Sequence, residues 1–98
     1  MAQFIIRVTL HDNASGFEYT RLRDALALAG VYDDIQSADE RWYRLPGGEY
    51  RCDSELGAEQ VRDFVHSISS SIKRSSVLVT AHAGSAWIGL EQIPEPLR

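Results

Sequence analysis

Cysteine is nearly absent. Cys52 stands alone in 98 residues, which excludes an internal disulfide and any all-cysteine zinc site. Lysine is as scarce, with Lys73 alone against nine arginines. No run of about 18 apolar residues occurs, so no membrane-spanning helix is expected. The opening MAQFIIRVTLHD lacks a basic stretch followed by an apolar core of roughly 7–15 residues, so no secretory leader is expected. Excess positive charge is missing too. A net charge of −4 argues against a non-specific DNA binder, which carries a basic footprint. His11, His66 and His82 show no metal-ligand spacing, and no P-loop, nucleophile elbow or dinucleotide fingerprint is present. No metal and no cofactor are therefore expected. These absences together predict a reduced cytoplasmic protein with neither membrane nor DNA as partner.

What is present is ordinary for a globular chain, at 44% hydrophobic and 24% charged, and its length suits one domain spanning 1–98. In residues 3 to 10, Phe4, Ile6, Val8 and Leu10 alternate with Ile5, Arg7 and Thr9, the period of a half-buried strand. HDNASG then supplies turn residues, with Asp12, Asn13 or Ser15 able to cap a helix beginning there. From about 15 to 29 the period changes. Leu22, Ala25, Leu26 and Ala29 form a helical stripe, and Gly30 is a natural stop. Residues 31–37, RWYRL and EYRCD read as strands, the last two joined by a PGG reversal. Val61, Phe64, Val65, Ile68 and Ile72 mark a second helix, SVLVTA a further strand, and AWIGLEQ an edge strand before the prolines. The order predicts an α+β, ferredoxin-like βαββαβ fold. Two helices would pack on one face of a four-stranded antiparallel sheet, with an added C-terminal edge strand and a loosely ordered tail over 91–98.

Three groups of residues carry candidate chemistry. His11 and Asp12 stand where the first strand ends, as an acid/base pair or metal ligands, although capping is the commoner use of such an aspartate. Arg21 and Arg23 lie about 200° apart on a helix. Arg21 can pair with Glu18, leaving Arg23 freer for a phosphate. Trp42, Tyr43 and Tyr50 interleave with Arg41, Arg44 and Arg51. On the helix-free face, together with Arg7, they suit base stacking as in RNA-recognition modules. The same face serves equally for dimerisation, with Trp and Tyr as anchors, and the residues slightly favour a homodimer.

FIIRVTLHD followed by YTRLRDALALAG, a polar hairpin and a second helix resembles the GhoS type V antitoxins, small ferredoxin-like proteins. The likeness covers nearly the whole chain, and is weakest over residues 33 to 51. Its firmest points are Arg21-Leu22-Arg23 ahead of the apolar stripe, and Asp12 at the end of the first strand. The small CRISPR-associated nucleases, which also place an aspartate there, look similar. The resemblance implies an endoribonuclease that cuts a toxin messenger RNA. Arg23 would then be the leading catalytic or RNA-contact residue, Arg21 its neighbour and Asp12 a third. His11, or His82 if near, would move the proton, and Arg7, Arg44, Trp42 and Tyr50 would bind RNA. The rival expectation is a non-catalytic ferredoxin-like interaction module.

Overall fold

The computed structural model describes residues 1–98. The main sheet has the order β4-β1-β5, built from β1 (Ala2–Leu10), β4 (Glu49–Ser54) and β5 (Ser75–Ala81), all antiparallel. Its two helices are α1 (Gly16–Leu28) and α2 (Ala58–Ser70). A second sheet has the order β2-β3-β6, from β2 (Asp34–Gln36), β3 (Trp42–Arg44) and β6 (Gln92–Ile93).

The alternation in β1 sets the core. Phe4, Ile6, Val8 and Leu10 are buried against Leu22 and Leu26 of α1 and Val61 and Val65 of α2, so both helices cover the same face. Ser15 caps α1 with a reciprocal pair of bonds. Its hydroxyl accepts from Glu18 N at 3.1 Å, while Glu18 Oε1 accepts from Ser15 N at 3.0 Å. Asp12 and Asn13 do not cap; both take left-handed backbone angles that turn the chain from β1 into the helix. At the other end Gly30 has φ +83°, and Val31 N donates to Leu26 O at 2.9 Å. This closes the helix as the glycine suggested, with Val31 and Leu26 in apolar contact across the stop. In α2 the stripe is narrower than its spacing implied, because Phe64 remains 43% exposed while Ser69 is buried in its place.

The expected single four-stranded sheet is not what forms. Beyond β4, only Tyr32 pairs, through two backbone bonds with Arg51. The chain then leaves the sheet edge, because Asp34 turns under β4 to reach the Arg51 guanidinium. Arg51 lies opposite Ile5 on the helix-free face, and burying it requires a counter-charge. The aromatic hairpin therefore folds across that face as a separate sheet. The expected strand over AWIGLEQ does not form, because Gly89 turns at φ +81° and Trp87 packs edge-on against Tyr43 at 5.4 Å; the edge strand found, Gln92–Ile93, overlaps it only at Gln92. The end of the chain returns over this sheet. The Arg98 guanidinium stacks on Tyr32 at 3.6 Å and pairs with Asp34. No helix is long and apolar enough to cross a membrane.

Candidate anion-binding cleft

The pairing of β4 with β1 stops at Arg7–Glu49, where the Pro46-Gly47-Gly48 turn begins. Past that point β1 has no strand on this side. Val8 N donates to Gly48 O at 2.8 Å, and Leu10 N finds the Tyr19 hydroxyl of α1 at 3.0 Å. A cleft of about 650 Å³ opens between α1, the turn and this bare stretch of β1. Arg7, Arg23 and Arg44 line it, together with Tyr19, Tyr50 and the carboxylates Asp33 and Glu49.

Arg44 on β3 holds Asp33 at 2.6 Å, and Arg7 holds Glu49 at 3.2 Å. Arg23 is the least committed cation, since its only carboxylate is its chain neighbour Asp24 at 3.6 Å. Burial pushes the Tyr50 phenol up to about 12, with Asp33 and Tyr19 adding to the shift and Arg23 opposing it. Tyr50 therefore keeps its proton at any physiological pH and can only donate or accept as a neutral hydroxyl. The cleft thus offers one half-exposed guanidinium, that of Arg23, and phenol groups beside two carboxylates already in ion pairs with Arg7 and Arg44. Guanidinium and hydroxyl donors are the groups that recognise oxyanions.

The structure joins Arg7, Arg23, Arg44 and Tyr50 and separates the rest of the expected site. Tyr50 is 3% exposed, so its ring is a core residue and offers no platform to a base. Trp42 is half-buried in the second sheet beside Arg51 and Arg98, at 5.5 and 5.7 Å from its ring, with its indole N–H buried and unpaired. Arg21 points to solvent without an ion pair, because Glu18 is occupied by the Ser15 cap and by Lys73 at 3.2 Å.

His11 and Asp12 face the opposite neighbour, β5. Asp12 pairs with Arg74 at 3.0 Å, and this bond holds its carboxyl below the usual range. His11 Nε2 meets Ser76 Oγ at 2.7 Å. Neither lines the cleft that holds Arg23. His82 is no closer to them. The antiparallel register sets it beside Gln3, while His11 sits beside Arg74, eight residues along β1 and roughly 26 Å away at strand rise. No three His, Cys, Asp or Glu side chains gather as metal ligands would.

Sequence reasoning missed Tyr19, Asp33 and Glu49. Tyr19 stands one turn before Arg23, and that spacing was the available signal. The glycine turn, read only as a hairpin, forms one wall of the cleft. Neither a family model nor a curated protein matches the chain.

Proposed function

We propose that the protein acts on RNA, holding a backbone phosphate of a single strand in the cleft beneath Arg23. The observation that carries this reading is the convergence of Arg7, Arg23 and Arg44 with the Tyr19 and Tyr50 hydroxyls on one opening. A chain with net charge −4 repels a polyanion as a whole, so a local cluster of guanidinium groups is what a phosphate contact needs. The strand order supports the antitoxin resemblance. With Tyr32 bridged to Arg51, the order β5-β1-β4 continues as in a ferredoxin-like sheet whose fourth strand has shrunk to one residue pair. On this reading the protein is a small cytoplasmic regulator of messenger RNA, such as a toxin transcript.

Cleavage through the 2′-hydroxyl needs a base to take its proton, an acid to protonate the departing 5′-oxygen, and charge on the phosphorane. His11 lies outside the cleft, so the base would be Asp33 or Glu49, released from its arginine when a phosphate takes that arginine over; the carboxylic acid so formed then returns the proton to the 5′-oxygen as its bond to phosphorus breaks. The test is incubation with mixed cellular RNA, with and without EDTA, beside Arg23→Ala. Binding or discrete cutting by the wild type, lost in the variant, supports the reading. RNA neither bound nor cut by the wild type overturns it. The second reading, a non-catalytic interaction module, is favoured by the unpaired outer edge of β5.

A further inference from the structure

β5 is an outermost strand of the main sheet. Two backbone hydrogen bonds fix the direction of its polar groups. His11 N donates to Arg74 O and His82 N to Gln3 O, both at 2.8 Å. By strand alternation, Ser76, Leu78 and Thr80 turn their N–H and C=O groups toward β1. Ser75, Val77, Val79 and Ala81 therefore turn theirs outward, and no protein group meets them. The opposite edge of the sheet is guarded by the Tyr32 bridge and the charged Arg51 and Asp53. β5 has no such guard. Across Ser75–Ala81 there is no charge, proline or glycine, and native edges that stay single normally carry one of these.

The sequence of the edge reads nearly the same in both directions. Ser76-Val77-Leu78-Val79-Thr80 is a palindrome about Leu78, with Thr in the place of Ser. Leu78 stands on the helix-free face at 63% exposure, while Val77 and Val79 pack on the core from the helix side. We infer that β5 pairs antiparallel with β5 of a second copy of this chain, about a two-fold axis through Leu78. Val77 then pairs with Val79 of the partner subunit, and Ser75 with Ala81 of the partner subunit. These are the residues whose bonding groups face outward. Leu78 meets Leu78 of the partner subunit in a non-hydrogen-bonded pair, where side chains approach most closely, and Ser76 lies across from Thr80 of the partner subunit. This register makes about eight backbone hydrogen bonds and one continuous six-stranded sheet. It is the self-complementarity of the palindrome that selects a second copy over an unrelated peptide. β5 contributes nothing to the cleft, so the inference is independent of the RNA reading.

The test is the solution mass of the full chain, wild type and two variants, by sedimentation equilibrium. Wild type is expected at twice 11.0 kDa. Leu78→Lys and Leu78→Glu are each expected to fall to the single-chain mass, because like charges then meet across the axis. An equimolar mixture of the two variants is expected to return to the doubled mass. Leu78 is largely exposed, so both variants should keep the wild-type far-UV circular dichroism, which checks that the monomers are folded. A wild type at the single-chain mass overturns the inference. So do variants that stay dimeric on their own, or a mixture that stays monomeric.

Discussion

Substituting Asp34 with alanine should unfold more than a local contact. The Asp34 carboxylate is 3% exposed and lies between two guanidinium groups, Arg51 and Arg98. Arg51, at 9% exposure, donates from Nη2 to Asp34 Oδ1 at 3.0 Å and from Nε to Asp34 O at 2.7 Å. The alanine variant keeps the backbone acceptor and removes the charge. Arg51 is then left with Asp53 at 3.7 Å, whose side chain is half-exposed, and with a second cation nearby. Breaking a buried ion pair by removing one partner costs about 3–5 kcal/mol. The remaining Asp53 contact puts the expectation near the lower limit, about 3 kcal/mol. For a domain of this size that corresponds to a melting point lower by roughly 12–24 °C.

Arg98→Ala leaves the Asp34–Arg51 pair intact and should cost only about 1 kcal/mol. The double variant should be less destabilised than the sum of the two, because removing Arg98 also removes a cation orphaned by the loss of Asp34. Urea unfolding of the four proteins, followed by tryptophan fluorescence, measures all three values. Trp42 packs beside both arginines and reports on the same region. An Asp34→Ala cost under about 1 kcal/mol, or simple additivity, would refute the view that charge pairing holds the second sheet against the first.

Gly48→Ala should cost roughly 1–3 kcal/mol, since Gly48 sits at φ +81° and a Cβ there would lie 2.9 Å from Val8 O. Gly47→Ala, one residue earlier in open space, should be nearly neutral in the same denaturant titration. Tyr50 is raised in the folded state, so its contribution is intact below the ordinary tyrosine value of 10.0 and is lost as pH climbs toward about 12. Titration of the phenolate absorbance should show one late-ionising tyrosine, and Arg23→Ala should move it later still. Glu18 is lowered by its bond from Ser15 N and by Lys73, so its contribution holds above the ordinary glutamate value of 4.5 and disappears as pH falls below it. Thermal melts from neutral pH down to about pH 3 should therefore drop less steeply in Glu18→Gln than in wild type.

Where one physical signal dominated, the sequence was easy to read. The two-residue period of β1 named its buried face correctly because nothing else competes for Phe4, Ile6, Val8 and Leu10. Gly30 marked the end of α1 because only a residue free to adopt φ +83° closes the helix in that way. Two strands of the second sheet were legible, since β2 and β3 fall inside the expected 31–37 and RWYRL. Their assembly into a separate sheet was not, because its placement depends on Asp34 meeting Arg51 from 17 positions away.

The site followed the same division. Arg7, Arg23, Arg44 and Tyr50 were each singled out on chemistry, yet only the end of the β1–β4 pairing brings them to one opening. His11 and Asp12, adjacent in sequence, do not join Arg23 in its cleft. Their real partners, Ser76 and Arg74, lie across the β1–β5 register, which no local pattern reveals.

The central claim is that Arg23 and its cleft hold an RNA phosphate. It is tested most directly by fluorescence anisotropy of a labelled single-stranded RNA, titrated with wild type and Arg23→Ala over a range of salt concentrations. Each phosphate contact adds about 0.7 to the slope of log affinity against log salt for single strands. Arg23→Ala should bind more weakly at every salt concentration, with a slope shallower by about that amount. Equal affinity and equal slope in the two proteins would contradict the claim, as would a wild type whose binding shows no salt dependence.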